Sequence, residues 1–141
     1  MPKIENCSWP DFMRGHHKTP AKNSIAIQIT DPGDTAPEPK ENVFESRHIF
    51  SFLDAEDTDR FCKEKDKISD EQAVEIARIL KKALREDRDV LVHCVVGACR
   101  SGAVVEVAEM IGFEECRHFR FPNQRVKKKL MQALDLLSVG E

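Results

Sequence analysis

Val90-Leu91-Val92-His93-Cys94-Val95-Val96-Gly97-Ala98-Cys99-Arg100-Ser101 carries the chain from an apolar run into the start of an apolar helix. The first three residues follow the polar Asp87-Arg88-Asp89 and are rich in β-branched side chains, the pattern of a strand buried on both faces. From Ser101 to Ile111 the residues are mostly apolar and stop at Gly112, which suits a left-handed helix cap. The segment between therefore joins a buried strand directly to a buried helix. Ligands of α/β folds bind beyond the carboxyl ends of strands, which makes this junction the first place to expect a site.

Upstream, Ile25, Ile27 and Ile29 alternate with small or polar residues and run into Asp31-Pro32-Gly33-Asp34, predicting a strand and a turn. The prolines Pro32, Pro37 and Pro39 predict an exposed loop. Ile49, Phe50, Phe52 and Leu53 predict a second strand, closed by the acidic stretch from Asp54 to Asp59. Ser69-Asp70-Glu71-Gln72 has the form of a capping box, and Ala73, Ile76, Ala77, Leu80 and Leu84 follow at helical spacing. A last helix is predicted from Asn123, with Val126, Leu130, Ala133, Leu134 and Leu137 on one face. Residues 1–22 show few periodic apolar positions and are expected to be irregular, with at most a short strand. The order of elements predicts an α/β fold, a central largely parallel sheet flanked by helices. Residues 1–141 are expected to form a single domain.

A chain of 141 residues with 40% hydrophobic composition can bury one sizeable core. It contains no run of roughly 18 to 20 apolar residues and no apolar leader at its start, so it is expected to be soluble, free of the membrane and cytoplasmic. Five cysteines, Cys7, Cys62, Cys94, Cys99 and Cys116, form no Cys-x-x-Cys pair, and reduced thiols are expected, with Cys7 at the surface. His16-His17 has no cysteine nearby to complete a zinc site, so no metal and no cofactor are expected. A net charge of -3 argues against a broad nucleic-acid footprint. Affinity for phosphate would have to come from a dedicated site.

The junction has the chemistry for one. Successive backbone N–H groups of Val95, Val96, Gly97, Ala98 and Cys99 can form an anion nest at a positive helix terminus. Gly97 gives the turn its backbone freedom. Arg100 closes the loop, and its planar fork can hold two phosphate oxygens. Helix N-termini and cations favour the thiolate over the thiol, and both influences meet at Cys94. The thiolate would attack phosphorus to give a phosphocysteine, with Arg100 and the amides stabilising the transition state. Ser101 can donate a hydrogen bond to the departing sulfur. His93 is expected to orient the loop from behind.

This motif resembles the His-Cys-x-x-Gly-x-x-Arg-Ser/Thr signature of the protein tyrosine phosphatase superfamily, matched at every fixed position by His93, Cys94, Gly97, Arg100 and Ser101. The size and element order, over residues 23 to 138, are similar to the compact dual-specificity-like branch, including short bacterial and viral members. The resemblance implies a metal-free ping-pong mechanism and an aspartate on another loop as general acid. In related short phosphatases that acid follows a hydrophobic strand upstream of the nucleophile. This makes Asp54 the first candidate, Asp57 the second and Asp59 the third; the alternative is that all three belong to a solvated loop. Trp9-Pro10-Asp11 spells the acid-bearing triplet of larger tyrosine-specific members, but it lies far from its position there, leaving Asp11 a minor candidate.

The implied substrate is a phosphorylated protein, through phosphotyrosine and also phosphoserine or phosphothreonine. The chain lacks tyrosine altogether, and with it the tyrosine-lined substrate loop of larger relatives. The alternatives are an RNA 5′-phosphatase or triphosphatase, a catalytically weak phosphate-binding module, or a rhodanese-like sulfur carrier. Phosphoinositides are disfavoured because the loop has no lysine. Cys99 is a packing residue or a redox partner of Cys94. Arg117, His118, Arg120 and Lys127 to Lys129 read as a solvated face or a basic rim.

Overall fold

The strand predicted before Cys94 is the best-buried in the chain, with all five residues of β4 (Val90–Cys94) shielded from solvent. In the computed structural model, which describes residues 1–40 and 43–140, it lies inside a four-stranded sheet. The other strands are β1 (Ile4–Ser8), β2 (Ile25–Thr30) and β3 (Ser46–Ser51), in the order β1-β4-β2-β3. Every pairing is parallel. The six residues of β2 are also all buried, whereas β3, at the edge, alternates between exposed residues and the half-buried Ser46 and His48 and the buried Phe50.

The helices are α1 (Trp9–Arg14), α2 (Asp70–Glu86), α3 (Arg100–Ile111) and α4 (Gln124–Gly140), with one 3-10 turn at Glu64–Asp66. Alternation along the strands sends Ile25, Ile27, Ile29, Val90 and Val92 into a core shared with α2, α3 and α4. On the other face Ala26 and Leu91 meet Cys7, Phe12 and Phe44. Each fully buried large aliphatic side chain contributes about 1.5–3 kcal/mol. The α2 capping box is formed: Gln72 N donates to Ser69 Oγ at 3.1 Å and Ser69 N donates to Gln72 Oε1 at 3.0 Å. Among the described residues, no helix is long and apolar enough to cross a membrane.

Residues 1–22 are not irregular: they hold the short strand the sequence allowed, β1, and a helix it did not suggest, α1. The strand is hidden from a hydrophobic-pattern reading by Glu5 and Asn6, both buried and both satisfied by distant partners. Glu5 accepts from the Thr19 hydroxyl at 2.6 Å, from Thr19 N at 2.7 Å and from Lys18 N at 3.0 Å. Burial opposes its charge, but these donors hold the carboxyl below the usual range. Helix α1 starts under a Ser8 cap and ends at Gly15, whose φ of 74° is left-handed. Cys7, expected at the surface, is buried under this layer. The register aligns Ile4 and Ile25 with Val90, so β1 and β4 end side by side at Ser8 and Cys94.

Candidate active site

At the carboxyl end of β4 the chain turns through Val95–Cys99 and enters α3 at Arg100. Cys94 is only 2% exposed, and its sulfur lies against the loop rather than against side chains alone. Gly97 N donates to Cys94 Sγ at 3.2 Å, and Ser101 Oγ lies 3.2 Å from the same sulfur. Both groups can stabilise negative charge there, the amide as a fixed donor and the hydroxyl as a rotatable one.

Gly97 is required for this shape. Its φ is 86°, and a Cβ at this position would stand 2.5 Å from Cys7 C and Ser8 N. The loop crest therefore rests on the backbone of β1, and Asn6 fastens it by donating from Nδ2 to Gly97 O at 2.7 Å. A pattern reading gives Asn6 no role, since nothing local marks it.

His93 is buried behind the loop and packs on Phe12, with ring centroids 4.5 Å apart. Gln28 Oε1 accepts from Arg47 at 3.1 Å and Gln28 Nε2 donates to Pro37 O at 2.9 Å, which fixes the amide. His93 Nε2, 3.2 Å from that Nε2, is then an acceptor, and the ring proton sits on Nδ1. Burial drives the His93 pKa down to about 4; the Cys94 backbone opposes this and Arg100 reinforces it. The ring is therefore neutral near pH 7.

Arg100 is almost fully enclosed. One guanidinium nitrogen, Nη1, donates to Asp31 Oδ1 at 2.6 Å and to Phe52 O at 2.7 Å. Nε is buried with no partner among the described residues. Asp31, just past β2, is a further residue missed in the sequence, where it reads as a turn former. Its position beyond a strand's carboxyl end, one strand from β4, is the signal that could have found it.

No family model matches the sequence, and no curated protein matches it significantly. Among solved structures, the human tyrosine phosphatase-like serine/threonine/tyrosine-interacting protein matches with a TM-score of 0.62 at 15% identity, covering 98% of this chain and 95% of that one. Human DUSP28 matches with a TM-score of 0.60 at 14% identity, covering 100% of this chain and 97% of that one. The fold is that of the dual-specificity phosphatases. Identity this low fixes the path of the backbone and leaves the chemistry to be argued from side chains.

Within this dual-specificity phosphatase fold, the acidic candidates have different surroundings. Asp54 comes from the loop after β3 to the edge of the Cys94 loop, close enough to the Cys99 thiol to act on it electrostatically. Burial first and Asp54 next push that thiol upward. Asn123 Nδ2 donates to Asp54 Oδ1 at 2.7 Å and to Ala55 O at 3.2 Å, while Asn123 Oδ1 caps α4 through Val126 N at 3.0 Å. Asn123 reads as a helix start in the sequence; its hold on Asp54 is visible only in three dimensions.

Asp57 points instead to α4, 2.8 Å from both Lys128 and Arg125. Hydrogen bonds from Lys128 and then Arg125 hold its carboxyl below the usual range. Asp59 accepts from Glu56 N at 2.7 Å inside its own loop. Asp11 lies on the opposite flank, lining a trough with Ser8, Val96 and Gly97. Arg120 is bound to Glu109 and Glu106, and Lys127 to Lys129 pair with Glu106, Asp57 and Asp70, so this face is ion-paired.

Proposed function

We propose that the chain hydrolyses phosphate monoesters through a phosphocysteine on Cys94, with phosphorylated protein side chains as substrates. The observation that carries this is the pairing of a loop-facing sulfur, which accepts from Gly97 N, with a buried Arg100 whose Nε lacks an acceptor. A buried unpaired donor costs about 1–3 kcal/mol, and a phosphate oxygen would satisfy it.

In this reading the phosphoryl group enters the loop, its oxygens facing the amides of Val95, Val96, Gly97, Ala98 and Cys99 and the free edge of Arg100. The Cys94 thiolate attacks phosphorus, a P–S bond forms, and the P–O bond to the leaving group breaks. Asp54 gives its proton to the leaving oxygen. Water then attacks the phosphocysteine, Asp54 takes a proton from it, and the sulfur departs as thiolate beside the Ser101 hydroxyl. Asp54 is preferred over Asp57 because the latter is held as a carboxylate by two cations. His93 acts only by holding the loop. No step calls for a metal.

Turnover of para-nitrophenyl phosphate in the presence of chelator tests this directly, with Cys94→Ser and Asp54→Ala as comparisons. Cys94→Ser is expected to be inactive, and acid quenching of wild type with labelled substrate is expected to leave label on Cys94. Asp54→Ala is expected to slow poor leaving groups more than good ones. Phosphate binding without turnover by wild type would reduce the chain to a phosphate-binding module.

A further inference from the structure

Residues 119–123 run alongside the phosphate loop and are fastened to it rung by rung. Asn6 Nδ2 bridges Gly97 O and Phe119 O, Phe121 N donates to Ala98 O at 3.0 Å, and Asn123 N donates to Cys99 O at 3.0 Å. Between the two phenylalanines, Arg120 turns back to Glu109 and Glu106. Phe119 and Phe121 are left 79% and 73% exposed on a backbone that cannot turn them inward without breaking these rungs. On the other flank Trp9 N donates to Val95 O at 3.3 Å. Trp9 is 44% exposed and Val96, in the loop itself, 75%. A trough of about 410 Å³ lies beside the loop, with Val96, Ala98 and Phe119 in its walls next to the polar Ser8, Asp11 and His118.

Single exposed apolar residues are ordinary, but several held around one loop by its backbone bonds mark an interaction surface. The charges indicate what that surface would meet. Arg120, Lys127, Arg125 and Lys128 beside the loop all have carboxylate partners within 4 Å, and Arg100 itself is shared with Asp31. Apart from Arg117, a polyanion would find most of the positive charge there already compensated, whereas one phosphate with apolar neighbours would meet Arg100 and the exposed rings. We infer that Trp9, Val96, Phe119 and Phe121 form a recognition rim for apolar side chains next to the phosphorylated residue of a protein substrate. This rests on the phosphatase reading above and narrows its substrate class.

The test uses two phosphotyrosine peptides of equal length and charge, one with leucine and phenylalanine beside the phosphotyrosine and one with serine and glycine. Wild type is expected to favour the apolar peptide by about tenfold in kcat/KM, the scale of burying part of an aromatic ring. The Phe119→Ser/Phe121→Ser protein, and Trp9→Ser from the other flank, are expected to shrink that ratio severalfold. Each ratio is internal to one protein, so a change in overall activity does not disturb it. Affinities of Cys94→Ser protein for the same peptides give the preference even without turnover. Equal handling of the peptides by wild type, an unchanged ratio in both variants, or faster turnover of a 5′-phosphorylated oligoribonucleotide would overturn the inference. Loss of para-nitrophenyl phosphate turnover alone would strike the phosphatase reading instead.

Discussion

Replacing Asn123 by alanine separates a structural role from a chemical one. The change removes three contacts: the amide bonds to Asp54 Oδ1 at 2.7 Å and Ala55 O at 3.2 Å, and the cap on Val126 N at 3.0 Å. Loss of the cap costs about 1 kcal/mol, and the two amide bonds, one to an exposed carboxylate, about another 1 kcal/mol together. A total near ~2 kcal/mol lowers Tm by roughly 4–8 °C for a chain of this size. The kinetic effect is selective. A displacement of Asp54 by about 1 Å costs on the order of 100-fold where its proton is needed. Phenyl phosphate, a poor leaving group, is therefore expected to slow by about 100-fold, and para-nitrophenyl phosphate by less than about threefold. Asn123→Asp keeps a cap acceptor but sets a carboxylate against Asp54, so it should regain much of the Tm without regaining phenyl phosphate turnover. Equal slowing of both substrates by Asn123→Ala would refute the reasoning, because a general loss of structure does not discriminate between leaving groups.

Asp31→Ala leaves the buried Arg100 guanidinium with only the Phe52 carbonyl on Nη1, and a Tm loss of several degrees is expected in calorimetry. Inorganic phosphate should restore more of that loss than it adds to wild type; equal increments would deny the two anions a shared cation. Stability is also expected to fall with acid before the carboxylates titrate. His93, depressed to about 4, binds fewer protons folded than unfolded, so its contribution is complete above the unfolded value near pH 6.5 and is lost as pH falls toward 4. That window carries up to about 3 kcal/mol, and His93→Gln should flatten it in chemical denaturation series. His48 is also lowered, chiefly by burial, so His48→Gln is the control.

The loop was legible because its chemistry is contiguous: cysteine, glycine, arginine and serine lie within one strand-to-helix junction. The α2 cap was legible for the same reason, as both halves of the box lie three residues apart. What the sequence hid is made by distance. Asp31 meets Arg100, and Asn123 meets Asp54, each across 69 residues. β1 could not be placed because Glu5 and Asn6 break its apolar pattern, and distant partners such as Thr19, Gly97 and Phe119 make those side chains tolerable inside. Polar residues in a buried strand are read as surface until their partners are known.

The pairing of β1 with β4 also bears on how the molecule is made. Lys3 and Asp89, bonded at the start of this pair, are 86 residues apart, so β1 waits for a strand made much later. Such non-local closure slows folding. Because the crest of the Cys94 loop leans on the backbone of Cys7 and Ser8, that loop is expected to reach its final shape only with this late docking, so loop and sheet would be completed in one step.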